Sequence, residues 1–314
     1  MPAGPSLLPY VLTLGATLSF SSSSLVFAKF SRRVSVLWMN TAKAAVAFTL
    51  LCFTLPVLGM LAGPLVLPSE ISAWVLLLSG AIGLGIGDLF LLDAFIRIGV
   101  SRTLMLYGFQ PLLLGVGAML MFDQSFDSHR LIAIGFLIAC LLIFSLERYR
   151  ETRSWEIRGL MMAIIGVSMD SAGVLLTRFA FEHSPQTRPL EGHFIRCIGA
   201  LLSYAVVAAL IHARRRLKKS PDRTPVIGLF SGFLRLDMKS RSLLLLGCFG
   251  GTYLSLCLYL TAIQSGHLAS LAAISITGPM FAALLETLIQ KKRPSLYLLA
   301  AFVFFVCGFY ILVN

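Results

Sequence analysis

The sequence predicts an all-α polytopic membrane protein of about ten transmembrane helices, arranged as two inverted five-helix repeats. Three observations carry that expectation. Of 314 residues, 57% are hydrophobic and 13% charged, with a mean hydropathy of +0.87. Soluble domains carry about 25% charged residues, so lipid must be the solvent for most of this surface. Apolar stretches of about twenty residues, the length that crosses the hydrocarbon core at helical rise, follow one another along the chain. Lys and Arg lie between these stretches and not on one face of a fold, so the formal net charge of +12 does not point to nucleic acid.

In the first half the stretches fall at roughly 7 to 30, 34 to 58, 71 to 95, 101 to 122 and 129 to 146. The opening MPAGPSLLPYVL has no Lys or Arg before its apolar run and no A-x-A type of cleavage site, so the first stretch reads as a retained span. The second apolar run continues through Leu67, which leaves the end of its helix open. A charged linker at 147–157, within LERYRETRSWEIR, joins the first repeat (7–146) to the second (158–313). The second repeat holds stretches at roughly 158 to 180, 190 to 212, 242 to 264, 267 to 289 and 295 to 313. A basic insertion at 214–241 interrupts it, and its apolar piece Val226 to Leu234 is too short to span. Two readings stand for that piece: a segment lying on the membrane surface, or a disordered basic loop.

The halves resemble each other. AFIRIGVSRTLMLYGFQPLLLGVGAMLMF surrounds Pro111, and AIQSGHLASLAAISITGPMFAALLETLI surrounds Pro279. Each joins a span ending in Ala and Gly to a span broken by proline, and a basic residue, Lys43 or Arg196, stands early in the second span of each half. An odd number of crossings inverts the second copy, and inverted repeats with a site at their interface are a transporter architecture. Of the 26 Lys and Arg residues, 21 collect on one side of this arrangement and three on the other. The positive-inside rule then puts the insertion in the cytoplasm and both termini outside.

On these residues the chain resembles the EamA-type drug/metabolite transporter superfamily, in its ten-span form with two tandem five-span repeats. The resemblance covers nearly the whole length. It is carried by Ala262 to Gly266, by Gly278 and Pro279, by Glu286 seven residues on, and by Lys43 and Arg196. Two features depart from the family's pattern. Ala118 stands where the first repeat often has a Glu, and the charge count places the termini outside whereas many bacterial members keep both in the cytoplasm. The resemblance implies secondary transport of a small organic solute across a bacterial inner (plasma) membrane, with no cofactor and no enzymatic activity.

A charged side chain at the bilayer centre costs about 2.5 to 3.5 kcal/mol on insertion scales, so each one retained within a span is a functional candidate. Asp170, in GVSMDSAGV, is the most central, with no opposite charge at i±3 or i±4 to neutralise it. Such an acid binds a cation or exchanges a proton, unless Lys43 or Arg196 on another helix holds it as a structural pair. Asp88, in GLGIGDLF, carries the same two readings. Lys43 and Arg196 bind an anionic group or anchor helix ends, and Glu286 lies near an interface beside Lys291 to Arg293. Asp93 and Arg97, one turn apart, read as a pair at a membrane end. Tyr107, Gln110, Tyr259 and Gln264 are polar candidates for the lining, with Ser275 and Thr277 before Pro279. Pro111 and Pro279 are the expected helix breaks, freeing carbonyls where a cavity tolerates them. The serines Ser21 to Ser24 read equally as lining or as close helix packing. The histidines read as interfacial and the six cysteines as small apolar residues, with no metal site.

Other classes remain to be weighed. Gly85-Ile86-Gly87-Asp88 matches the GxGD signature of intramembrane aspartyl proteases, but residues 1–87 hold no Asp to complete a dyad. A non-transporting scaffold has no use for a mid-bilayer acid. No GxxxxGK[ST] loop is present, so coupling would draw on an ion gradient. The expected partners are therefore a small-molecule substrate, a coupling proton or cation and membrane lipid, with a homodimer left open and nucleic acid excluded.

Overall fold

The structure, a computed structural model, describes residues 7–31, 34–98, 103, 106–124, 128–152, 156–217, 233, 236–289 and 295–313. Among the described residues all regular structure is helical. The first half holds α1 (Leu8–Ser31), α2 (Val36–Ala62), α3 (Glu70–Ser79), α4 (Asp88–Ile98), α5 (Gln110–Phe122) and α6 (Ser128–Thr152). The second holds α7 (Ile157–His183), α8 (Pro189–Leu217), α9 (Met238–Cys248), α10 (Ser255–Ser265), α11 (Leu268–Ser275), α12 (Gly278–Ile289) and α13 (Leu296–Val313). Six helical runs among the described residues are long and apolar enough to cross a membrane, and shorter apolar helices lie at Tyr107–Phe122, Ser128–Cys140 and Leu296–Ile311. Large apolar side chains point outward, with Phe53 71% and Leu120 75% exposed. This is the inside-out surface of a polytopic membrane protein, whose helices satisfy their backbone hydrogen bonds internally, as the hydrocarbon core demands.

Local chemistry sets the helix ends. Ser35 caps α2 by accepting the Trp38 N–H at 3.2 Å, and Ser69 caps α3 by accepting that of Ser72 at 3.3 Å, each cap contributing about 1 kcal/mol. The open question of where the second apolar run stops is answered by Gly63, whose φ of +90° no L side chain adopts readily and which Pro64 follows.

Two runs are not uniformly α-helical. A π-helical segment at Gly80–Gly87 links α3 to α4, and another at Phe249–Leu254 links α9 to α10. The first is wedged between α7 and α8 because its glycines admit their backbones. A Cβ on Gly80 would lie 2.0 Å from the Arg196 carbonyl oxygen, and one on Gly83 would lie 3.4 Å from the Gly173 Cα.

The runs that hold Pro111 and Pro279 break before the proline and not at it, whereas Pro56 sits inside an unbroken α2. A 3-10 turn at Tyr107–Phe109 precedes α5, whose first turn holds Pro111, and Ile276 and Thr277 separate α11 from α12, whose second residue is Pro279. In a first helical turn the missing N–H costs nothing. The Ile274 carbonyl at the second break is not free, since it accepts from the Thr277 N–H at 3.1 Å and hydroxyl at 2.6 Å.

The helices pack reciprocally. α1, in the first half, lies against α10, α12 and the second π segment, while α7, in the second half, lies against α3, α4, α5 and the first π segment. α6 packs along α13. The largest apolar core, including Leu114, Leu137, Leu260, Ile263 and Leu271, joins α5, α6, α10, α11 and α13.

Candidate functional site

A cavity of about 110 Å³ lies among these helices, and four charged side chains line it: Lys43, Asp88, Asp170 and Arg196. The two halves contribute two each. Lys43, on α2, is buried, and its ammonium donates to Asp88 Oδ2 at 2.8 Å and to Asn40 Oδ1 at 3.2 Å. Asn40 Nδ2 in turn donates to the Asp88 carbonyl at 3.1 Å, and the ammonium stands 5.1 Å from the centre of the Phe27 ring. Asp88 reaches this position as the residue that follows the first π segment.

Asp170 is carried on α7, whose contact with the first run is fixed beside it. Ser79 Oγ donates to the Gly173 carbonyl at 2.7 Å and lies 2.7 Å from the Thr177 hydroxyl. Asp170 Oδ2 accepts from Gln110 Nε2 at 2.8 Å, and no described cation stands within ion-pairing distance of it. A pairing of Asp170 with Lys43 or Arg196 is thus absent among the described residues. Lys43 is engaged by Asp88 instead.

Arg196, on α8, is 1% exposed, and its Nε is buried with no hydrogen-bond partner. Its height is set by glycine contacts on either side: besides Gly80 against its own carbonyl, a Cβ on Gly199 would lie 2.0 Å from the Leu77 carbonyl oxygen.

Tyr107, Gln110 and Tyr259 also line the cavity. The Tyr259 hydroxyl is near Ser275 but outside hydrogen-bond geometry to it. The lining includes Thr17, Thr252 and Ser255, which sequence reasoning passed over. Thr252 and Ser255 stand in and just after the second π segment, and the glycine pair before them is the only local signal.

Gln264 lies apart from the cavity. It donates to the Thr187 and Pro185 carbonyls at 3.1 and 3.4 Å, tying the end of α10 to the α7–α8 loop. The side chains of Glu286 and Pro279 lie outside the described residues, as do residues 218–232 of the basic insertion and 153–155 of the linker. Asp93 meets Arg97 at 2.7 Å, and Arg97 also meets Glu156 at 3.1 Å. Ser21 and Ser24 return their hydroxyls to the Thr17 and Phe20 carbonyls of their own helix. A Cβ on Gly278 would come within 2.9 Å of Ser21 Oγ and one on Gly250 within 2.6 Å of Ser23 Oγ, so these two serines serve close packing. His193 differs from the interfacial reading. It is fully buried within α8, with Nε2 2.9 Å from the Thr252 carbonyl, because this helix starts at Pro189 and has turned inward by then.

A solved structure, described only as the crystal structure of a protein, superposes with a TM-score of 0.69 at 14% identity, covering 96% of this chain and 95% of that one. It shows the fold alone, and shows it over both halves. No curated protein matches the sequence significantly. The family model for the EamA-like transporter family matches residues 157–314, half of the chain and the half that supplies Asp170 and Arg196. This protein is an integral, multi-pass membrane protein that belongs to the EamA-like transporter family.

Proposed function

We propose that the protein is a secondary transporter that moves a small organic metabolite by alternating access, with its site in the cavity between two inverted five-helix repeats (7–146 and 158–313). The observation that carries this reading is the composition of the cavity: an apolar-walled space lined by two charged residues from each half. Charges are expensive inside an apolar bundle, and a rigid scaffold has no need of them around an open space. Repeat symmetry is supported by spacing. Pro279 follows Pro111 by 168 residues, and α9 begins 168 residues after α3. Asp170 is the acid left to bind a cationic group or to exchange a proton with substrate, since Asp88 is already neutralised by Lys43. That neutralisation also speaks against the protease reading, in which two acids share one proton. The setting is a bacterial inner membrane, with the basic side of the bundle in the cytoplasm and both termini outside.

The test is counterflow. Proteoliposomes loaded with a metabolite extract are diluted into the same extract uniformly labelled with carbon-13, and the trapped label is read by mass spectrometry. At least one small solute should enter faster than into protein-free vesicles, and slower when Asp170→Asn replaces the wild type. Entry of no solute above the protein-free rate would overturn transport and favour the scaffold.

A further inference from the structure

The four charges of the cavity divide into a satisfied pair and two single groups. Lys43 and Asp88 meet at 2.8 Å. Arg196 has no described carboxylate within ion-pairing distance, is 1% exposed, and keeps its Nε without a partner. Among the described residues Asp170 receives a single hydrogen bond, from the neutral amide of Gln110 to one oxygen. These two groups face the same space and flank one residue. A Cβ placed on Gly83 would lie 3.6 Å from an Arg196 terminal nitrogen and 3.8 Å from the Asp170 Cα. They are therefore near each other without touching, one positive and one negative, in a site that is otherwise largely apolar.

We infer that the cavity binds a small zwitterion, its anionic group on the Arg196 guanidinium and its cationic group against Asp170. The inference deepens the transport reading and rests on it only for what the binding serves. A ligand with one charge satisfies one of the two groups and leaves the other alone where water is scarce, while a neutral ligand leaves both. A zwitterion with its charges a few bonds apart satisfies both with charge-assisted hydrogen bonds. Size sets a further bound. At 10 to 15 Å³ per water-sized group, a cavity of about 110 Å³ holds on the order of ten non-hydrogen atoms. Phe20, Leu84, Val174 and Leu256 supply the apolar wall for the remainder of such a ligand.

Three pools of equal shape and different charge test this: small α-amino acids, their amides, which are cations, and the matching 2-hydroxy acids, which are anions. Each is titrated into detergent-solubilised protein, and binding is read by thermal shift and calorimetry. The wild type should bind the zwitterion pool at least about tenfold more tightly than either of the others, the loss expected for one charge-assisted contact. Arg196→Gln should erase the preference over amides, and Asp170→Asn the preference over hydroxy acids. Arg196→Lys, which keeps the charge, should retain part of the preference. If a variant fails to fold, the wild-type ranking still decides. Equal or tighter binding of amides, hydroxy acids or neutral polyols, or no binding of any pool, overturns the inference. Counterflow separates the two proposals: entry of a solute that is not zwitterionic sinks the substrate class and leaves transport standing, whereas zwitterions that bind and never cross sink transport and leave the site.

Discussion

At Lys43 and Asp88 the bilayer's low dielectric makes a pair out of two residues that neither could remain alone. An ammonium with 8% side-chain exposure beside a carboxylate with 21% is held by a 2.8 Å contact and by Asn40, which bonds both residues. Removing one partner leaves the other charge buried and uncompensated, which costs about 3 to 5 kcal/mol, whereas replacing both with apolar groups of similar volume is close to neutral. Lys43→Met should therefore lower the melting temperature in detergent sharply, and Lys43→Met with Asp88→Leu should recover most of the loss. If the double variant is no more stable than the single one, the pair is not what holds these helices in register. Both residues stood out in the sequence as charges inside apolar runs. Their pairing did not, because sequence spacing reveals neighbours one turn apart on a helix, as for Asp93 and Arg97, and says nothing about partners 45 residues away. His193 was misjudged for the same reason: its place as the fifth residue of α8 suggested an interface, while its partner is the Thr252 carbonyl on another run.

The element that decides the site's geometry is the glycine-rich π segment at Gly80–Gly87 and its contact with α8. Backbone meets backbone here, so an added methyl has nowhere to go. Gly80→Ala and Gly199→Ala should each destabilise the protein by about 1 to 3 kcal/mol as overpacking forces the helices apart. Because both report one interface, the double variant should cost less than the sum. Gly135→Ala, on an exposed face of α6 with nothing within 4 Å of the new carbon, should be neutral or slightly stabilising, since Ala is the better helix former. Melting curves of the four variants check this, and a loss at Gly135 equal to that at Gly80 would remove the close approach as the cause. Element positions were largely readable: the apolar stretch at 158 to 180 lies on α7, Ile157–His183, and that at 34 to 58 lies on α2, Val36–Ala62. Apolar length reports a helix wherever lipid or core surrounds it. The π geometry was not readable, because an apolar run looks the same whether its bonds close at four residues or five, and only the density of glycine in GAIGLGIG hints at it.

Across the whole molecule the two halves embrace each other, α1 against the second half and α7 against the first, so a movement of one half must be answered by the other. The loops of the two halves also meet. Arg188 donates to the Ala62 carbonyl at 2.6 Å, Glu191 accepts from the Val66 N–H at 3.1 Å, and Ser184 Oγ donates to Ser69 Oγ at 3.1 Å. These bonds tie the α2–α3 loop to the α7–α8 loop at one end of the bundle. In a carrier that exposes its cavity to each side in turn, such a tie must break once per cycle. Ser69→Cys with Ser184→Cys, in a Cys52→Ala background that removes an exposed native thiol, places two sulfurs where two hydroxyls now bond. Oxidation should abolish solute counterflow, and dithiothreitol should restore it to the level of the reduced sample. Each single cysteine variant should transport normally under both conditions. Undiminished counterflow in a sample shown by mass spectrometry to be fully cross-linked would mean that the cavity fills and empties without these loops parting. A pore open along one path, and not two halves rocking about a fixed site, would then be the working description of the bundle.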